Sequence, residues 1–143
     1  MFNTAAFHSS RWLLNDLFKG FTKPMFGMEQ DARDTRAMAT LAYVDLVADR
    51  FPDVAVNWAS AVTSFTAPGS EIQHEAIGHM LDHLPAAYRL DPATTSRAFM
   101  VAGLRCRDPR MEACINERFY EVARDELPGP WGGLMKDIAP VEP

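Results

Sequence analysis

Apolar residues recur with helical period along almost the whole chain, and helix-start and helix-stop residues divide it into segments. In residues 10–21, Leu14, Leu17, Phe18 and Phe21 fall at i, i+3, i+4 and i+7, with Arg11, Asn15, Asp16 and Lys19 opposite. This predicts an amphipathic helix, capped by Ser9 or Ser10 and ended by Gly20, Thr22, Lys23 and Pro24. A second helix is expected over residues 30–50. Its stretch 37–48 is apolar except for Thr40 and Asp45. A helix apolar nearly all round is expected in the middle of the domain. The third follows Pro52 and Asp53, with Val54, Trp58, Ala61, Val62 and Phe65 at helical spacing, and Ala67, Pro68 and Gly69 break it.

The fourth segment opens with Ser70-Glu71-Ile72-Gln73. This is a capping box, in which the serine oxygen accepts from the Gln73 amide while the glutamine side chain reaches back. Ile72, Ala76, Ile77, Met80, Leu81 and Leu84 form its apolar face, and Pro85 is expected to stop it. The fifth and sixth helices begin Asp91-Pro92 and Asp108-Pro109. Aspartate caps orphan amides, and proline suits the first helical position because its missing N–H has no partner there. Phe99, Val101 and Leu104 are the buried candidates of the fifth; Met111, Ile115, Phe119 and Val122 are those of the sixth. After Pro128-Gly129-Pro130, residues 131–138 are expected to pack back as a turn or two. No alternating run is bounded by a hairpin turn, so no strand is expected. The pattern predicts an all-α fold, a compact bundle of about six helices with short loops.

The chain has 143 residues, enough for one self-sufficient domain. Its net charge of −5 disfavours nucleic acid as a partner. Two cysteines exclude a disulfide scaffold and a Cys₄ zinc site. No secretory signal and no apolar run of membrane-span length is found, so the chain is expected to be cytoplasmic, with Cys106 and Cys114 reduced. The net charge is a sum of unlike parts. Residues 1–28 hold Arg11, Lys19 and Lys23 against Asp16, a net +2, whereas residues 29–143 hold 11 basic and 18 acidic groups, a net −7. The basic front also carries five of the nine phenylalanines.

Candidate chemistry is concentrated in the fourth helix, where Glu71, His74, Glu75, His79, Asp82 and His83 cluster. His74 and His79 stand five residues apart, one more than the H-E-x-x-H zinc motif allows. At about 100° per residue their imidazoles diverge by about 140° and cannot share an ion from one regular helix. His79 and His83 are i, i+4 and could chelate one Zn or Fe ion with a third ligand from another helix, such as His8, Asp45 or a cysteine. Glu71 and His74 match half of a di-iron carboxylate pattern whose second half is missing. The plain alternative is a solvated polar helix face. Asp45, on an otherwise apolar stretch, must meet a partner, reach the surface or be protonated, and a salt bridge to an arginine is expected. Cys106 lies between Arg105 and Arg107, which could activate its thiol, while the apolar neighbours of Cys114 argue for packing. The same arginines also suit the C-terminal end of a helix without any ligand.

No catalytic constellation is complete, so a non-enzymatic protein without a cofactor is the leading expectation. Aromatic groups dominate interface anchors. The N-terminal helix therefore reads as a docking element for another protein or a larger assembly, with Trp12, Phe18, Phe21 and Phe26 as contacts and Trp131 as a further one. Trp12 falls on the polar side of that helix, where a closed monomer has little use for an indole. Two other uses of the segment compete: completing the core, and lying on a membrane surface as a basic amphipathic helix.

Overall fold

The computed structural model describes residue 16, residues 18 and 19, and residues 27–126. Five α-helices and no strand are found among the described residues: α1 (Gln30–Ala48), α2 (Pro52–Val62), α3 (Glu71–Leu90), α4 (Pro92–Cys106) and α5 (Pro109–Glu126). The all-α reading therefore holds. Of the first predicted helix, Asp16, Phe18 and Lys19 are helical; its remaining residues and residues 131–138 lie outside the described set.

The predicted start signals act locally as expected. Ser70 Oγ accepts from the Gln73 amide at 3.3 Å, and Asp91 Oδ1 accepts from the Thr94 amide at 3.1 Å. Asp108 Oδ1 accepts from the Arg110 amide at 3.0 Å. Pro52, Pro92 and Pro109 each open a helix, where a residue without an N–H leaves no bond unmade. Pro85, by contrast, does not stop α3, which runs on to Leu90. Proline removes one amide from the ladder. Packing prevails because Leu84, Ala87 and Tyr88 keep the core-facing spacing through the proline: the first two are buried and Tyr88 packs against the core.

The centre of the molecule is α2, not α1. Nine of the eleven residues of α2 are buried, and it packs against α1, α3 and α4. The apolar helix α1 instead has two faces. Ala37, Thr40, Leu41, Val44 and Ala48 point inward against α2 and α3, while Met38, Tyr43 and Leu46 stand exposed. Two further side chains are placed differently from the helical-wheel reading: Leu104 is exposed rather than buried, and Cys114 is exposed rather than packed.

One polar side chain sits at the heart of the packing. Gln73 is fully buried, and both ends of its amide are used. Its Oε1 accepts from the Gly69 amide at 2.8 Å, and its Nε2 donates to the Thr63 carbonyl at 3.2 Å. The reach-back expected of a capping box thus goes one residue beyond the cap. It also satisfies a carbonyl at the end of α2, so one side chain starts α3 and finishes α2.

Candidate functional site

Asp45 projects from α1 toward α3, and its Oδ1 lies 3.0 Å from His79 Nδ1 and 2.9 Å from His83 Nε2. The pairing follows from two local facts. His79 and His83 are one helical turn apart, so both rings stand on the same side of α3. Asp45 lies beside Leu41 and Val44, whose burial presses α1 onto α2 and α3. The expected arginine partner is therefore replaced by two histidines 34 and 38 residues away. For one oxygen to accept from both rings, His79 must carry a proton on Nδ1 and His83 one on Nε2.

The side chains of His79 and His83 are 26% and 24% exposed, while that of Asp45 is 59% exposed. The carboxyl of Asp45 is held below its ordinary 3.8, chiefly by the hydrogen bond from His83; partial burial opposes this and the bond from His79 adds to it. The cluster is a clamp between α1 and α3 whose anionic member faces solvent. Both imidazole nitrogens point at the same carboxylate oxygen. Among the described residues, no group of three or more His, Cys, Asp or Glu side chains is arranged to hold a metal ion.

The other candidates separate from this cluster. His74 lies 3.8 Å from Asp108, beyond hydrogen-bond distance, and links α3 to the start of α5. Glu71 and Glu75 are exposed. Cys106 is buried, with its Sγ 3.2 Å from the Gly103 carbonyl, so the flanking arginines do not present a reactive thiol. Arg105 and Arg107 are both exposed, and Arg107 ends α4 in the left-handed conformation at φ 52°. Phe18 is buried and stacks on Trp58 with ring centroids 4.7 Å apart. It belongs to the core rather than to a docking surface, because the indole of α2 offers it a face sealed from water. Trp12, Phe21, Phe26, Trp131 and the candidate ligand His8 lie outside the described residues.

Sequence reasoning missed the exposed apolar surface. Met38, Tyr43 and Leu46 form a stripe on α1, with Leu46 72% exposed. A second apolar surface lies between α4 and α5, a groove of about 260 Å³ lined by Phe99, Met100, Leu104, Ile115 and Phe119. That is smaller than the roughly 300–1,000 Å³ of small-molecule sites. The stripe could have been found by asking whether a helix apolar on every side has neighbours on every side. Among the described residues, no helix is long and apolar enough to cross a membrane. Comparisons of the chain with known protein families, with curated proteins and with solved structures return no match.

Proposed function

We propose that this chain is a non-enzymatic protein–protein interaction module: an adaptor, accessory subunit or inhibitor-like binder working in the cytoplasm. The scaffold in this reading is a six-helix bundle that includes the helix expected over residues 10–21, and Trp12, Phe21, Phe26 and Trp131 are the partner contacts. The observation that supports it is the stripe on α1. Three large apolar side chains stand in solvent on the face opposite a well-packed one, and an exposed apolar patch on a helix with a complete inner face marks an interaction surface.

The test compares two surface variants of the full chain. Replacing Met38, Tyr43 and Leu46 together by serine removes the α1 stripe without touching a buried group. Replacing Met100 and Leu104 by serine does the same at the α4–α5 groove. A discrete partner recovered with the wild-type chain is expected to be lost with the first variant and retained with the second. Equal recovery with all three chains would sink the assignment of α1.

A further inference from the structure

Where the chain leaves α2 it comes against the end of α4, and a cavity of about 280 Å³ opens between them. Thr63, Ser64 and Thr66 line it from the first side and Arg105 and Arg107 from the second, with no acidic residue in the lining. That runs against the trend of the chain, whose residues 29–143 sum to −7. Side chains two positions apart on a continuous helix diverge by about 200°, so Arg105 and Arg107 would not share a cavity on a longer α4. They share one because Arg107 ends the helix at φ 52° and ψ 24°, in the left-handed conformation that turns the chain back. Among the described residues it is the one non-glycine residue with positive φ. That backbone costs every residue but glycine, and glycine would end α4 equally well. The fold therefore accounts for the turn and not for the guanidinium.

The structural use of an arginine in this position is to meet the last carbonyls of a helix. Here other groups do so. Thr63 Oγ1 donates to the Ser60 carbonyl, and Ser64 Oγ to that of Ala61. Thr66 Oγ1 lies 3.3 Å from the carbonyl oxygens of both Val62 and Thr63, and Gln73 Nε2 reaches the second of these at 3.2 Å. In the last turn of α4, the Gly103 carbonyl accepts from Cys106 Sγ at 3.2 Å, and the Arg105 carbonyl from Gln73 Nε2 at 3.5 Å. The guanidinium groups of Arg105 and Arg107 make no hydrogen bond or ion pair with any described residue. The acid next to them, Asp108, is engaged elsewhere: its Oδ1 accepts from the Arg110 amide at 3.0 Å, and its Oδ2 lies 3.8 Å from His74 Nε2.

We propose that this cavity binds a phosphate monoester. Two guanidinium forks on one cavity are matched by a dianion with three terminal oxygens, whereas a carboxylate, with one charge and two oxygens, satisfies a single fork. Ser64 adds a third donor. It is exposed, and its hydroxyl can turn to a bound oxygen because the Ala61 carbonyl keeps the Ser64 amide at 3.0 Å. The volume falls below the roughly 300–1,000 Å³ that encloses a whole small molecule, so the site takes the charged head of a ligand and leaves the rest outside. A phosphorylated side chain of another protein and a small phosphorylated molecule present the same head. The site lies on other elements than the α1 stripe and stands whether or not α1 is a contact face.

The test is titration of the full chain with glycerol 2-phosphate at constant ionic strength, followed through the NMR signals of the arginine Nε–H groups. Saturable shifts of the Arg105 and Arg107 signals are expected on a millimolar scale, as suits an open site. Arg107→Gly removes one fork and relieves the backbone, so it should melt close to wild type while binding about tenfold more weakly. Arg105→Lys keeps the charge and the fold but loses the fork, and should bind about threefold more weakly. A phosphoserine peptide that binds about tenfold more tightly than glycerol 2-phosphate identifies a protein ligand, and equal binding identifies a small molecule; both results uphold the site. No saturable shift at about 20 mM glycerol 2-phosphate overturns the proposal. So does either arginine variant that binds as wild type does, or acetate that shifts the two signals as far as the monoester.

Discussion

Helices α1 and α2 lie side by side, yet they have opposite relations to solvent. In α2, nine of eleven residues are buried; in α1, five of nineteen are. The difference comes from composition as well as from neighbours: α1 carries Asp31, Arg33, Asp34, Arg36 and Asp45, whereas Asp53 is the one charged residue of α2. Three helices surround α2, while α1 rests mainly on α2 and α3. Every valine of α2 is buried, as are Ala55 and Ala59, and only Ala61 among its apolar residues is partly exposed. On α1 the same residue types serve two purposes, and only half of the circumference holds the monomer together. The comparison separates residues that make the fold from residues available to something else.

The sharpest way to break it is to truncate one large side chain on each helix. Trp58 is 2% exposed and carries the stacked ring of Phe18. Trp58→Ala should cost about 3–5 kcal/mol, since it leaves a cavity on a helix closed on three sides. Leu46→Ala should stay within about 0.5 kcal/mol, because the side chain leaves water rather than neighbours. Denaturant unfolding of both variants at low protein concentration checks this. Similar losses would show that the outer face of α1 is part of the core after all.

A smaller effect is expected where α2 hands over to α3. Gln73→Met keeps the volume of the side chain but leaves the Gly69 amide without its partner and takes one of two donors from the Thr63 carbonyl, which keeps Thr66 Oγ1. Each is a buried or partly buried backbone group, and an unmade bond of this kind costs about 1–3 kcal/mol. Loss of stability in that range would show that the polar contacts, not the volume, join α2 to its neighbour. A neutral Gln73→Met would mean that packing alone fixes the end of α2, and the contrast with α1 would then rest on apolar contacts only.

What could be read without coordinates follows the range of the interactions. The start of α3 was legible because Ser70 and Gln73 act on amides within three or four residues, and the aspartate–proline starts of α4 and α5 are equally local. The i, i+4 spacing of His79 and His83 likewise put two imidazoles on one side of a helix. The partner of that pair was a different matter. Asp45 announced only that it had to find a partner, reach the surface or stay protonated, and no periodicity links a residue to another 34 positions on. Pro85 misled for the same reason: its cost is local, whereas the burial of Leu84 and Ala87 that outweighs it is tertiary. The exposed stripe of α1 was hidden because an apolar residue on a helix looks the same whether it faces a core or an interface.

The smallest effect concerns the Asp45 tie between α1 and α3. Asp45 has its carboxyl held below 3.8 in the folded chain, through the hydrogen bond from His83 first of all. A carboxylate shifted in that direction contributes stability that is complete above its unfolded value and is lost as pH falls through the lower folded one. Asp45→Asn removes the charge and the titration together. The gap in stability between wild type and variant should therefore be open at pH 5, close below pH 3.8, and narrow when salt is added at pH 5. With Asp45 more than half exposed, the gap should be under about 1 kcal/mol, well below the effects in α2. Unfolding of both chains across pH 2.5–7 measures it. A gap that persists undiminished at the acid end would mean that the Asp45 amide and carboxyl differ in packing rather than in charge. The electrostatic account of how α1 is held to α3 would then fail.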